Sequence, residues 1–169
     1  MILRLATLAD ATTIWEILQA AILQRKMDGS TQWQNGYPNE GTVANDIQQG
    51  YGYVIEENNM IIAYAAIVFG DEPTYKVING AWMSNQPYVV VHRVATTPTL
   101  KGKGIATQLF LMIEKLALEK NIFSIKVDTN FDNIPMLKIM DNLNYTFCGE
   151  IFVSGFPRRA YEKLLKPLR

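Results

Sequence analysis

The stretch from His92 to Thr107, H-R-V-A-T-T-P-T-L-K-G-K-G-I-A-T, constrains this chain more than any other. An apolar strand, Tyr88 to Ala95, runs toward Pro98 and empties into a turn of alternating lysine and glycine. A helix follows, with Ile105, Leu109, Met112, Ile113 and Leu116 recurring at helical spacing. A glycine-rich turn at a helix N-terminus presents backbone N–H groups and the positive end of the helix dipole to an anion. The segment is therefore a candidate anion site, with a plain strand-to-helix turn as the alternative, and the rest of the sequence has to say which anion it would suit.

The elements around it form an α/β mix. A short strand, Ile2 to Leu5, precedes Asp10, the expected N-cap of a helix in which Ile14, Ile17, Leu18, Ala21 and Ile22 lie at helical spacing to about Gln24. Met27 to Tyr37 reads as a loop, and Val43 with Ile47 suggests a second short helix that stops at Gly50. Tyr51 to Glu56 and Met60 to Phe69 are strands joined by a hairpin at Glu57-Asn58-Asn59. After the glycine loop and its helix, Phe123, Ile125 and Val127 alternate with Ser124, Lys126 and Asp128, the pattern of a half-buried strand. Asn133 can cap the next helix, with Pro135 in its first turn and Asn144 as the left-handed residue that ends it. Tyr145 to Glu150 and Arg159 to Leu164 are closing strands expected to pair with each other. No repeat or linker interrupts the 169 residues, which suit a single domain, 1–169.

Composition narrows the partners. Sixteen basic residues offset sixteen acidic ones, which argues against nucleic acid or an anionic membrane as the main partner. The lone cysteine, Cys148, excludes an internal disulfide framework and fits a reducing, cytoplasmic setting. The N-terminus lacks a secretory layout, and the longest apolar run, Ile61 to Phe69, is too short to span a bilayer as a helix. One histidine and one cysteine form no metal-ligand cluster, so no metal is expected.

Three phosphate motifs can be compared by spacing. A Walker loop requires Gly, four residues, then Gly-Lys-Ser/Thr, and that spacing is absent. A dinucleotide fingerprint requires a third glycine at position 107, where threonine stands. The remaining pattern, Arg/Gln-x-x-Gly-x-Gly/Ala after a strand, is the pyrophosphate loop of the GCN5-related N-acetyltransferases (GNAT). The chain resembles that superfamily from Leu3 to about Leu165, in four motifs. Val94-Ala95-Thr96 before Pro98 resembles the end of the family's central strand, and Lys101-Gly102-Lys103-Gly104-Ile105-Ala106 its pyrophosphate loop. Asp128-Thr129-Asn130 through Asn133-Ile134-Pro135-Met136 resembles the next strand and the Asn-led helix, and Leu143-Asn144-Tyr145 the family's Leu-Gly-Phe/Tyr. Gln32-Trp33 with Gly36-Tyr37-Pro38 is similar to small bacterial members of unassigned substrate.

The resemblance implies a GNAT fold: a mixed, mostly antiparallel, splayed sheet of about 6–7 strands flanked by about four helices. It implies acetyl-CoA as cosubstrate, held by Val94, Ala95 and Thr96 along the pantetheine arm. Lys101, Gly102, Lys103, Gly104, Ile105, Ala106 and Thr107 would hold the pyrophosphate, and Asn133 the arm again. Gly102 and Gly104 let the backbone approach phosphate, and Lys101, where the family prefers arginine or glutamine, keeps the charge without the planar fork. The N–H of Val94 is the expected oxyanion donor. The alternatives are a plain strand-to-helix turn at the glycines and a plain helix cap at Asn133.

The proton path is less determined. Asp128 is the first candidate base, against the alternative of a solvated strand-end aspartate. His92, two residues before Val94 and so expected on the same strand face, is the second, as a relay through water. Glu56 and Glu72 are weaker options. Where many family members place a tyrosine to protonate the departing thiolate, seven residues after the Asn, this chain has Met140. Tyr145 reads as a packing aromatic, and Cys148 as a small core residue rather than an acyl carrier. Trp33, Tyr37, Tyr75 and Trp82 sit in loops and either line an acceptor pocket or cover the sheet, while Arg158 and Arg159 read as a solvated edge.

The expectation is a cytoplasmic, acetyl-CoA-dependent N-acetyltransferase with an amine acceptor, small molecule or peptide, and a homodimer as an open assembly. Its rivals are a non-catalytic acyl-CoA-binding or regulatory module, which Met140 favours, and a structural domain whose glycine turn binds nothing.

Overall fold

The computed structural model describes residues 1–167. The elements are β1 (Ile2–Leu5), α1 (Ala11–Met27), α2 (Glu40–Gln48), β2 (Gly52–Glu57), β3 (Met60–Phe69), β4 (Asn79–Gly80), β5 (Val89–Thr96), α3 (Ile105–Glu119), β6 (Ser124–Thr129), α4 (Ile134–Asn142), β7 (Thr146–Val153) and β8 (Phe156–Leu164). The eight strands form one mixed sheet in the order β1-β2-β3-β5-β6-β8-β7-β4. β5 and β6 are parallel, and the β1/β2, β2/β3, β6/β8, β7/β8 and β4/β7 pairs are antiparallel. The sheet exceeds the expected strand count because β4 has only two residues, too few to carry any periodic signal. β4 lies against β7 where Gly80 faces Gly149, and a Cβ on Gly80 would come within 2.2 Å of the Cys148 carbonyl oxygen. Only glycine permits that approach.

The chain divides into two compact units, Met1–Ile67 with Arg93–Phe110, and Val68–His92 with Leu111–Arg169. In the first, Ile14, Ile17 and Leu18 of α1, Val43 of α2, Val54 of β2, Tyr64 of β3 and Ala95 of β5 form the core. The β2–β3 turn has Asn58 and Asn59 both left-handed, at φ 51 and 62, the conformation a tight hairpin between right-twisted strands requires. Asn39 caps α2, its side-chain oxygen accepting from the Thr42 N–H at 3.0 Å while the Thr42 hydroxyl accepts from the Asn39 N–H at 3.1 Å.

Asp10 departs from expectation. It precedes α1, but its carboxylate makes no capping bond to that helix. It turns back instead, accepting from the Thr7 N–H at 2.7 Å and from both Arg4 terminal nitrogens at 2.8 and 3.0 Å. Arg4 also reaches Glu56 at 2.6 Å, so one guanidinium ties β1 to β2 and to the entry of α1.

In the second unit, Tyr75, Val90, Ile151 and Ala160 form the core, with Val68, Ile78, Trp82, Tyr88 and Val153 packed on it. β6 corrects the reading of a half-buried strand: Ser124 and Lys126 are buried along with Ile125 and Val127. Ser124 donates to the Glu162 carboxylate at 2.7 Å, and the Lys126 ammonium lies over the rings of Trp82 and Tyr88 at 4.5 and 4.0 Å. β8 runs between β6 and β7, so Arg158 and Arg159 are not on a solvated edge. Both are half-buried, with Arg159 donating to the Tyr161 hydroxyl at 3.1 Å. Asn144 ends α4 with φ 59, as its position suggested.

The Arg4 hydrogen bond is the main cause that lowers the Asp10 pKa from 3.8 to about 2. A depressed folded-state carboxylate contributes stability above its unfolded value and loses it as pH falls through the folded value. Asp10→Asn therefore lowers the urea midpoint at neutral pH, and its deficit against the parent chain shrinks between pH 4 and pH 2. Urea titrations at several pH values measure it, and a deficit constant over that window counts against the Arg4–Asp10 assignment.

Candidate active site

β5 is where the chain changes direction. It pairs in parallel with β6 through Val89, Val90 and Val91 opposite Ile125, Lys126 and Val127. Arg93 then takes φ 54, a left-handed conformation that costs a bulky residue roughly 1–2 kcal/mol and cannot continue a regular ladder. The alternation that put His92 and Val94 on one face fails here, because it holds only while every residue between them is extended. Beyond the kink, the Thr97 N–H donates to the Ile62 carbonyl at 2.9 Å and Ala95 is buried.

The Arg93 guanidinium makes a two-pronged ion pair with Asp46 of α2, Nε to one oxygen at 2.9 Å and a terminal nitrogen to the other at 2.6 Å. Asp46 is 1% exposed and also accepts from the Tyr64 hydroxyl at 2.5 Å. Burial, reinforced by the Asp46 charge, raises the Tyr64 pKa well above that of a free phenol. The remaining Arg93 terminal nitrogen donates to the Tyr37 hydroxyl at 2.5 Å. Sequence reading did not single out Asp46, Tyr64 or Arg93, which come from separate elements.

The loop after β5 has the form its residues suggested. Pro98–Leu100 makes a single helical turn, and Gly102 and Gly104 take φ 76 and 79. A Cβ at either glycine would meet nothing within 4 Å, so the constraint is the backbone conformation and the space beside it is open. Lys101 to Gly104 are exposed. The first bond of α3 runs from the Gln108 N–H to the Gly104 carbonyl at 3.0 Å. The N–H groups of Ile105, Ala106 and Thr107 consequently have no acceptor within the helix, which is the arrangement an anion requires. Asn133 caps α4 through Met136, at 3.4 Å.

In the second unit the two candidate bases come together. His92 places Nε2 3.0 Å from a Glu72 oxygen and Nδ1 3.8 Å from Asp128. The same Asp128 oxygen accepts from the Tyr75 hydroxyl at 2.6 Å, and the other lies 3.7 Å from an Arg158 nitrogen. The His92 hydrogen bond is the main cause that lowers the Glu72 pKa to about 2, against the opposing effect of burial. Glu72 is thus ionised at neutral pH and can only accept, which assigns the hydrogen of that contact to His92 Nε2. In the neutral ring Nδ1 then carries the lone pair and faces the Asp128 carboxylate. Glu56 has no part in this group, because its carboxylate is engaged by Arg4.

The four loop aromatics divide. Tyr75 is buried at 3% exposure, its hydroxyl committed to Asp128, so it does not sit in an exposed loop. Burial, together with Asp128, raises its pKa well above the usual phenol value. Trp82 donates its indole N–H to the Tyr75 carbonyl at 2.9 Å and packs on the Tyr75 ring at 5.0 Å. Trp33 is half-buried with φ 61, and Tyr37 is exposed. Met140 is fully buried on α4. Tyr145 is also buried, with burial and the Glu114 carboxylate raising its pKa. Cys148 is buried and its thiol pKa is raised by burial, consistent with a core residue.

Residues 15–144 match the acetyltransferase (GNAT) family. A Streptococcus agalactiae acetyltransferase of that family is 31% identical, with 98% of this chain and 95% of that one covered at a TM-score of 0.88. The chain belongs to the GNAT acetyltransferase family. A GNAT member from Listeria monocytogenes superposes with a TM-score of 0.77 at 19% identity, covering 97% of this chain and 94% of the other. The Salmonella typhimurium protein yncA, solved with its cofactor acetyl-CoA, is 19% identical and superposes with a TM-score of 0.67 over all of this chain and 96% of that one. These last two show the fold alone. No curated protein matches the chain. Among the described residues no helix is long and apolar enough to cross a membrane.

Tyr75→Phe removes the donor at 2.6 Å from a carboxylate that is mostly buried. The expected loss is about 1–2 kcal/mol in urea unfolding. An unchanged midpoint would mean that water replaces the hydroxyl without penalty.

Proposed function

We propose that this GNAT member is an acetyl-CoA-dependent N-acetyltransferase acting on a primary amine, of a small molecule or a peptide, by direct attack in a ternary complex. The observation that carries the reading is the open glycine loop, with Gly102 and Gly104 at φ 76 and 79 leading into the free N–H groups at the start of α3. That shape and polarity suit the pyrophosphate of coenzyme A. Lys101 and Lys103 add positive charge, and the family pattern adds Asn133 as a contact to the pantetheine arm. When bound, acetyl-CoA supplies an acetyl group activated as a thioester.

The protein's own residues account for the remaining requirements. The amine must be neutral to attack, and His92 Nδ1 is the proton acceptor, its tautomer set by Glu72 and its cation stabilised by Asp128. This ordering puts His92 ahead of Asp128, whose oxygens already face Tyr75, His92 and Arg158. The Val94 N–H directly follows the left-handed Arg93, and the family pattern makes it the donor that stabilises the oxyanion. The departing thiolate, from a thiol with a pKa of about 8.5, needs no dedicated acid near neutral pH. Met140 is accordingly a packing residue, and its presence does not favour a non-catalytic module.

Thiol release from acetyl-CoA across a panel of amines tests the activity; coenzyme A binding without turnover on any acceptor would favour the binding-module reading. His92→Gln is expected to lower kcat/KM by roughly 10²-fold or more, with coenzyme A affinity retained. Gly104→Glu is expected to abolish that affinity in a folded protein, and unchanged binding by calorimetry would refute the loop assignment. Met140→Leu conserves volume and should leave turnover within about twofold; a large fall would restore a role at that position.

A further inference from the structure

We propose that Asp46 and Arg93 are positioning residues, a latch whose ion pair holds the kink of β5 and thereby aims the Val94 amide. The inference rests on the acetyltransferase reading for its catalytic consequence, but its geometric part stands independently. Three observations converge on it.

Arg93 is left-handed in the middle of a strand, where glycine or asparagine would sit without strain. A strained backbone with a long, charged side chain persists only where contacts over-determine it. The contacts are present, since both Asp46 oxygens engage the fork of one guanidinium at 2.9 and 2.6 Å. Such a pair fixes the plane of the guanidinium as well as its distance.

Asp46 is itself badly placed for its own helix. It lies in the last turn of α2, where a carboxylate opposes the helix dipole, and aspartate is a poor helix former. It is also 1% exposed, where an unpaired carboxylate would be strongly disfavoured. Among the described residues, the partners that offset these local disadvantages are Arg93 and the Tyr64 hydroxyl. The arrangement makes sense if α2 and β3 serve as the fixed wall against which Arg93 is held.

The third observation is adjacency. Arg93 directly precedes Val94, so the torsion angles at Arg93 set where the Val94 N–H points. A donor displaced by an ångström can lower a rate on the order of 10²-fold without changing what binds. An ion pair over 47 residues of sequence would then govern the rate constant, with a smaller effect on cofactor affinity, most of which falls to the glycine loop and the start of α3.

The test uses the full chain with Asp46→Asn, Arg93→Gln and Arg93→Lys, each checked for folding by its thermal midpoint. Arg93→Lys keeps the charge and loses the fork, which preserves a folded variant should Asp46→Asn fail. Three quantities are read: the HN–Hα coupling and amide shifts of residues 93 and 94 by NMR, the Kd for coenzyme A, and kcat and KM for thiol release. The expected result is a changed coupling at residue 93, Kd within about threefold, and kcat lower by roughly 10–100-fold, with Arg93→Lys intermediate. An unchanged coupling and unchanged amide shifts in a folded Asp46→Asn or Arg93→Gln chain would overturn the latch, whatever the activity. A changed coupling with unchanged kcat would overturn its catalytic role. A parent chain that neither binds coenzyme A nor releases thiol defeats the acetyltransferase reading and its catalytic consequence, while the NMR comparison still decides the latch.

Discussion

The arrangement turns on one backbone conformation, the left-handed Arg93 within β5. Before it, Val89 to Val91 belong to a parallel ladder with β6; after it, Thr97 bonds to Ile62 of β3. β5 lies between β3 and β6, and its ladder with β6 stops before the left-handed Arg93. At the break, the Arg93 side chain pairs with the buried carboxylate of Asp46. The loop with Gly102 and Gly104 and the first turn of α3 follow this point in the chain.

A second theme is how the protein handles charge beneath its surface. Glu162 is fully buried but accepts from Ser124 at 2.7 Å, Ser84 at 2.6 Å and the Met83 N–H at 2.6 Å. Lys126, on the neighbouring strand, has two aromatic faces around its ammonium, and burial lowers its pKa. These contacts seat the segment from Glu72 to Tyr88 on β6 and β8. Asp128 belongs to the same system through Tyr75, but its other neighbours are His92 and Arg158. Glu162 and Asp128 thus lie along adjoining strands in different surroundings: Glu162 is closed off by its donors, whereas Asp128 faces His92 and Arg158.

Much of this architecture was legible in the residues. The Asn58–Asn59 hairpin, the Asn133 helix start and the Asn144 helix end follow from local backbone chemistry, in which each residue acts on neighbours a few positions away. The glycine loop was legible for the same reason. The two-residue β4 was not, because no periodicity exists in so short a strand. β6 was misread as half-buried because Ser124 and Lys126 are polar, and only their partners Glu162, Trp82 and Tyr88 reveal that polar residues can be satisfied inside. Asp10 looked like a helix cap, the commonest use of aspartate before a helix, until Arg4 supplied a stronger donor.

The site shows the same division. By itself, the sequence determined the glycine loop and the family the chain belongs to, since glycine positions and helix-start chemistry are local and leave a spacing that can be read. It also placed Asp128 and His92 among the candidates. Only the tertiary structure decided that Glu72 meets His92, that Tyr75 is an interior donor, and that Asp46 pairs with Arg93. These pairings join residues 20, 53 and 47 positions apart. Charge pairing depends on distance in space and on the exclusion of water, and neither is encoded by position along the chain.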